Sequence, residues 1–238
     1  MSYDLHIHSC LSPCGDEDMT PANIVGMAAL KNLEVIAVTD HNSCKNCPAV
    51  LTLAEEQGIV AIPGMELCTA EEVHVLCLFE SLDDALRFDG FVAEKLLKIL
   101  NREEIFGKQE IVDAEDRRIG IESYLLVNAT EISFDHLDLL MQEYHGIYIP
   151  AHIDKTSNGL ISNLGFIPPE SKFRCVEVKN SEKAVELKEK HPYLSQCNII
   201  TNSDAHTLGL IHEPEHFLCS ESRDRKDIIK ALMDVWKT

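Results

Sequence analysis

Apolar and polar residues alternate at the start of the chain, where Leu5 and Ile7 are interleaved with Asp4, His6 and His8, the period of two expected of a strand. Thr20-Pro21 then signals a helix start, with Thr20 as cap and Pro21 in the first helical position, and Ile24, Val25, Met27, Ala28 and Leu30 carry the helix onward. Val35–Thr39 predicts a second strand ending at Asp40-His41, and a helix from about Cys47 to Glu56 stops at Gly58. A third strand begins at Ile59–Ile62 and leads to Gly64-Met65-Glu66, and Val73–Phe79 follows too soon for a crossover helix between them. Leu82 to about Glu104 is expected as helix, with Phe91, Leu96, Leu97 and Leu100 as its apolar positions. Residues 105–135 are expected as an excursion with a short helix and a turn, followed by a helix from about Phe134 to His145. Ile147–His152, Cys175–Val178 and Asn198–Thr201 complete seven strands. A charged helix near Glu182–Lys190 and a terminal helix over about Arg223–Trp236 fill out the pattern.

Strands alternating with helices predict an α/β layer fold or barrel. The chain has 238 residues, shows no internal repeat and has no Ser/Pro/Gly-rich linker, so a single domain over 1–238 is expected. Composition narrows the picture. The chain is 45% hydrophobic, enough for a core without metal or disulfide staples, and no stretch approaches the roughly 20 apolar residues of a membrane span. The amino terminus has no basic segment followed by an apolar one, so a signal peptide is not expected and a cytoplasmic location is. The formal charge of −19 argues against long nucleic acid as the partner, because such binders display a cationic surface. It leaves room for a small phosphorylated substrate in a site whose cations the sequence tally omits.

The candidate chemistry lies at the strand ends. His6 and His8, two apart, project from one face of the first strand, and Asp4 on that face is placed to orient an imidazole. A single His-x-His pair is more often an ordinary polar pair than a metal site. Here Thr39-Asp40-His41 follows the second strand, Glu66 and Ala151-His152 end others, and Ser203-Asp204-Ala205-His206 follows the last. The carboxyl ends of parallel strands collect on one side of such a fold, which gathers these residues from across the chain. His74, near a strand beginning, and Asp16, in a loop, follow less directly from this placement. Histidines mixed with carboxylates suit Zn, Mn or Fe in a catalytic site. Such a site lowers the pKa of a bound water and serves phosphate-ester, amide or ring hydrolysis.

The segments Asp4-Leu5-His6-Ile7-His8-Ser9, Thr39-Asp40-His41-Asn42, Gly64-Met65-Glu66, Ala151-His152 and Ser203-Asp204-Ala205-His206 resemble, in order, the motifs of the PHP (polymerase and histidinol phosphatase) family. The resemblance runs from residue 3 to about 207. It implies a distorted seven-stranded (β/α)7, TIM-like barrel with a trinuclear site built from His6, His8, Asp16, His41, Glu66, His74, His152, Asp204 and His206. By the same resemblance, His6, His8, Glu66 and Asp204 hold one cation, Glu66, His74 and His152 a second, and Asp16, His41 and His206 a third. Glu66, Asp204 and His206 are the residues expected at the reaction itself. A water or hydroxide between the first two cations is the implied nucleophile toward phosphorus. A complete ligand set points to a metal-dependent phosphoesterase holding two to three divalent ions. A metallo-amidohydrolase and a noncatalytic metal-binding module are the alternatives. Lys155, Lys179, Arg117 and Arg118 are candidate phosphate contacts, Lys155 first because it follows His152 by three residues. Cys10, Cys14, Cys44 and Cys47 flank the first two motifs and allow a thiolate site, a disulfide or a thiol sensor, but small buried groups is the favoured reading. No heptad or apolar face predicts an oligomeric state.

Overall fold

The structure is a computed structural model that describes residues 1–234; the end of the expected terminal helix, at Trp236, lies outside the described residues. In chain order the elements are β1 (Tyr3–Ile7), α1 (Pro21–Leu30), β2 (Val35–Val38), α2 (Cys47–Glu56), β3 (Val60–Ala61), β4 (Gly64–Cys68), β5 (His74–Phe79), α3 (Leu82–Lys95) and α4 (Glu103–Phe106). There follow β6 (Glu110–Val112), β7 (Arg118–Ile121), α5 (Leu137–Glu143), β8 (Gly146–Pro150), α6 (Leu160–Leu164), β9 (Cys175–Glu177), α7 (Ala184–Lys190), β10 (Asn198–Ile200) and α8 (Arg225–Met233). The caps behave as their residue types dictate. Thr20 accepts a hydrogen bond from the Asn23 amide with Pro21 behind it, and Ser81 does the same for Asp84 at the head of α3.

The fold is mixed α/β, but its strands do not form the expected seven-stranded barrel. They form four sheets: β1-β2-β3 parallel, β4-β5-β8 antiparallel, β9-β10 parallel and β6-β7 antiparallel, with no closed barrel among the described residues. Short links join the first three sheets at one end. Ile7 bridges Ala205, His41 bridges Glu66, and the Ile153 amide donates to the Glu177 carbonyl. Beneath that end, inward residues from all three sheets pack together: Leu5, Val35, Leu76, Ile149, Cys175 and Ile200. The antiparallel run of β5 explains His74. Its register places His74 opposite Cys68, at the carboxyl end of β4, and the next residue, Val75, opposite Pro150, at the carboxyl end of β8. A strand beginning therefore reaches the same side of the molecule as its neighbours' ends.

Two expectations fail for local reasons. The helix predicted to run to Glu104 ends at Lys95, because Leu96 turns extended, pairs with Thr130 and buries its side chain with Leu11 and Leu126. Leu97 and Leu100, counted as apolar helical positions, are exposed. Within 105–135 the chain forms the β6–β7 hairpin, after the short α4. Asp113 builds the turn, its carboxylate accepting from the amides of Glu115 and Arg117.

A candidate metal centre at the strand ends

Five imidazoles, four of them buried and that of His74 half-buried, converge on Glu66, a buried carboxylate on β4. Its Oε1 lies 2.9 Å from His74 Nδ1, 3.1 Å from His152 Nε2 and 3.3 Å from His6 Nε2. Its Oε2 lies 3.0 Å from His41 Nδ1 and 3.4 Å from His8 Nε2. Asp204 Oδ1 completes a second corner, 3.4 Å from both His6 Nε2 and His8 Nε2. The ring of His206 stacks on that of His8 at 4.4 Å between centroids.

The outer nitrogens of three of these rings, His6, His8 and His206, are tied down so that the inner ones face the cluster. His6 Nδ1 donates to the buried Glu177 carboxylate at 3.0 and 3.1 Å. Ser12 gives its hydroxyl proton to Asp40 and receives His8 Nδ1 at 2.9 Å and the His41 amide at 3.1 Å, which uses its whole capacity. His206 Nδ1 faces the Asp204 backbone carbonyl at 2.8 Å, and since a carbonyl only accepts, the proton sits on Nδ1. In each case the remaining nitrogen, Nε2, is the one offered to a ligand. This is the tautomer that metal-binding histidines adopt when a neighbour orients them.

Electrostatics follow from this crowding. Burial alone would lower His6, but the carboxylates of Glu177 and Glu66 outweigh it and hold its pKa well above the ordinary value. Burial likewise opposes the charge on His74, and Glu66 overcomes it to push the pKa up to about 10. Burial wins at His8, driving it down to about 3. Burial would also raise Glu66 and Asp204, yet the surrounding imidazoles hold both below the usual carboxylate range. The loops carry backbone strain as well. Asn42, His152 and Asp204 have φ of 49°, 32° and 53°, a left-handed conformation costing about 1–3 kcal/mol at each non-glycine residue. Asn42 is held there by giving its amide to two carbonyls, of Leu126 and Asn128, and taking the Cys68 amide on its oxygen.

These residues fit a bound cation on two observations. His6 Nε2 and His8 Nε2 face each other at 3.2 Å, a spacing that calls for a positive centre between them, a proton in the metal-free protein or a cation in its place. Buried His41 Nδ1, on the side of Glu66 Oε2, has no hydrogen-bond partner. His6 Nε2, His8 Nε2 and Asp204 Oδ1 lie 3.2–3.4 Å from one another, close to the edge of a tetrahedron, about 3.3–3.6 Å for nitrogen or oxygen ligands at zinc bond lengths, and Glu66 offers Oε1 to His6 at 3.3 Å and Oε2 to His8 at 3.4 Å. A family comparison decides the broader identity: the PHP domain matches residues 4–232. The chain belongs to the PHP domain family.

Solved neighbours of this PHP protein share its fold, and its relatives differ in size. It is 35% identical over 95 residues to an uncharacterized protein of Methanocaldococcus jannaschii, a match covering 36% of this chain and 56% of the relative. The lesion-specific endonuclease PfuEndoQ of Pyrococcus furiosus superposes with TM-score 0.66 at 18% identity over 98% of this chain and 55% of that one. The chain thus spans little more than half the length of either. A Bifidobacterium adolescentis protein named as a metal-dependent phosphoesterase matches over 98% of this chain and 96% of its own, with TM-score 0.51 and 16% identity. The family match gives the chain its PHP domain, and the solved neighbours show the fold. Because two of the solved neighbours are endonuclease Q structures, the expectation against long nucleic acid, drawn from the charge of −19 and the lack of a Lys/Arg run with interleaved aromatics, is weakened. Among the described residues no helix is long and apolar enough to cross a membrane.

The remaining expected residues are placed as follows. Lys155 Nζ lies 3.1 Å and Lys179 Nζ 3.7 Å from Asp204 Oδ2, at the open edge of the cluster. Arg117 and Arg118 sit on the exposed β6–β7 hairpin, paired to Asp113 and Glu115 and to Glu110 respectively. Asp16 is exposed, and its Oδ1 accepts the Asp18 amide at 3.0 Å. Cys44 and Cys47 both point at the Gly64 carbonyl, Cys10 is buried, every cysteine is free of a disulfide, and among the described residues no set of cysteines is gathered for a metal ion. Asp4 does not orient an imidazole. Its carboxylate takes the backbone amides of Ser203 and His212, and Glu177 does the orienting instead. Sequence reasoning passed over Glu177, although an acid between Val176 and Val178 in a buried strand is a usable signal.

Proposed function

We propose that this protein is a metal-dependent phosphoesterase acting on a small phosphorylated metabolite or nucleotide. The observation that carries the reading is the pair of lysines at the cluster's open edge, both within 4 Å of Asp204 in a chain whose net charge is −19. Cations turned toward a nest of carboxylates suit a phosphoryl group, which arrives with negative charge of its own; a neutral amide carbonyl gains less from them. Lys155 also lines a cavity of about 470 Å³ with Lys183 and Lys190, the size of a small-molecule site.

The proposed ligand set is the one the resemblance implies, for two to three ions of Zn, Mn or Fe. The first three sheets stand as an opened form of the family's barrel. Glu66 is the proposed bridge, because each of its two oxygens meets a different group of imidazoles. When bound, the cations supply a lowered water pKa and offset charge on the phosphoryl oxygens. The chain's own part is to hold Asp204 ionised between His6, His8 and Lys155, to present His206 through Nε2, and to let Lys155 and Lys179 orient the ester. The test is a panel of phosphomonoesters, phosphodiesters, oligonucleotides and cyclic amides offered to the metal-loaded protein. Turnover of small phosphate esters is expected. Turnover confined to amides would sink the reading, and a preference for long DNA would overturn its substrate class.

A further inference from the structure

We propose that Cys14 supplies a thiolate ligand to the cation held by His41 and His206. The sulfur of Cys14 and one nitrogen each of His8, His41 and His206 lie within 4.8 Å of one another. A zinc ion with one sulfur at about 2.3 Å and nitrogens at about 2.0–2.1 Å needs nitrogen–sulfur edges of about 3.5 Å, so the group has to close by roughly an ångström. His41 brings an independent sign of a missing partner. Its Nδ1 is buried and makes no hydrogen bond, although Glu66 Oε2 is 3.0 Å away, out of line for one.

The loop that carries Cys14 is fixed from both sides. The Gly15 amide donates to the Ser12 carbonyl, the Asp16 amide to the His206 carbonyl at 2.9 Å, and the Cys10 and Met19 backbones close the loop base. Gly15 admits no side chain, because a Cβ there would stand 2.3 Å from the Ser9 carbonyl oxygen. With the backbone pinned, Cys14 turns its sulfur to the histidines while the Asp16 carboxylate takes the Asp18 amide. Asp16 is not part of the group that Cys14 forms with His8, His41 and His206. The inference rests on the metal-centre reading above but not on which ester is cleaved. Its chemistry is a simple exchange: the thiol gives its proton to solvent as the sulfur–metal bond forms. A mixed nitrogen–sulfur set favours zinc or iron over manganese at this position, which histidines and carboxylates alone do not decide.

The test replaces zinc by cobalt(II) in the purified protein and looks for the near-ultraviolet thiolate-to-cobalt charge-transfer band beside the visible bands of bound cobalt. The band is expected in the wild type and in Cys219→Ser, whose residue is the other exposed cysteine, and absent in Cys14→Ser. Visible cobalt bands without charge transfer, or a band that survives Cys14→Ser, would overturn the proposal. A wild-type protein that binds no cobalt at all would instead remove the metal-centre reading beneath it. Should Cys14→Ser fail to fold, alkylation of wild-type Cys14 by iodoacetamide, mapped by mass spectrometry, decides the matter. Zinc should protect Cys14 and leave Cys219 reactive; equal labelling with and without bound zinc counts against the ligand.

Discussion

Charged and polar side chains pair in two very different regions of this molecule. On the β6–β7 hairpin, Arg117 meets Asp113 and Glu115 and Arg118 meets Glu110, all in reach of water. At the strand ends, Glu66, Glu177, His6, His8 and His152 are buried together, and their partners come from segments as far apart in the chain as His6 and Asp204. Exposed pairs are worth about 0–1 kcal/mol and impose little on the fold, whereas buried charges must be answered or they unfold it. The strand-end network therefore represents a stability cost that the hairpin does not bear, and backbone strain at Asn42, His152 and Asp204 adds to it. Pairing alone identifies nothing. Convergence of buried lone pairs on a common point does.

The comparison breaks first at Glu66. Glu66→Gln keeps the shape of the side chain but removes the charge that faces five imidazoles. Loss of about two ions per chain is expected, with turnover down by at least about 10²–10³, or roughly 2.7–4 kcal/mol, at any metal concentration. Elemental analysis beside turnover checks this, with far-UV circular dichroism to establish that the variant is folded. Wild-type metal content and rate would return Glu66 to the status of a structural acid.

A smaller effect is expected one step out, at Glu177. Glu177→Gln leaves a hydrogen-bonding group for His6 Nδ1 but withdraws the negative charge that makes this imidazole a better donor. Metal affinity should fall about 10–100-fold, the usual scale for such an orienting partner. Competition against a chelator measures it, and excess metal should restore turnover. Unchanged affinity would mean that Glu177 serves only Asn202 and the His152 amide.

Proton release sharpens the same contrast. With no cation bound, the raised pKa values of His6 and His74 mean that both carry a proton at neutral pH. A cation must displace those protons, so affinity should rise with pH, by about tenfold per unit for each proton displaced, and level off above about 10 as His74 loses its own. Calorimetric titration in buffers of different ionisation enthalpy counts the protons. A count of zero at neutral pH would contradict the electrostatics described for the cluster.

How much of this was legible depended on where polar residues stood relative to apolar runs. β1, β2, α1, α2 and β5 announced themselves, because their apolar periods are unbroken and their caps or stops, Thr20-Pro21 and Gly58, are local. His6, His8, His41 and Asp204 stood out for the same reason, as polar side chains at the ends of apolar strands. The antiparallel course of β5 was not legible, since a run of apolar residues carries no direction, and so His74 had no clear place until the register was known. The hairpin was missed because its strands are short, three and four residues, and charged. Glu177 was missed because its partners are not local but lie on β1 and in the loops after β8 and β10. Cys14 was noticed for its spacing to Cys10, while its actual neighbours are histidines from three separate segments.

The smallest effect is expected where sequence reasoning offered arginines as phosphate contacts. Arg117 is already bound on both sides, by Asp113 and Glu115, on an exposed hairpin turn. Lys155 differs: its ammonium touches Asp204 at the open edge of the cluster and lines the adjacent cavity. Lys155→Ala should therefore raise KM for a phosphate ester several-fold, about 1 kcal/mol for one partly exposed cation, with kcat changed less. Arg117→Ala should leave KM within about twofold and stability within about 0.5 kcal/mol, as for a surface substitution away from packed features. Steady-state kinetics on the pair, with thermal melts, separates the two regions. If Arg117→Ala raises KM as much as Lys155→Ala does, the hairpin folds over the substrate, and the division between a functional strand end and a solvated excursion is misplaced.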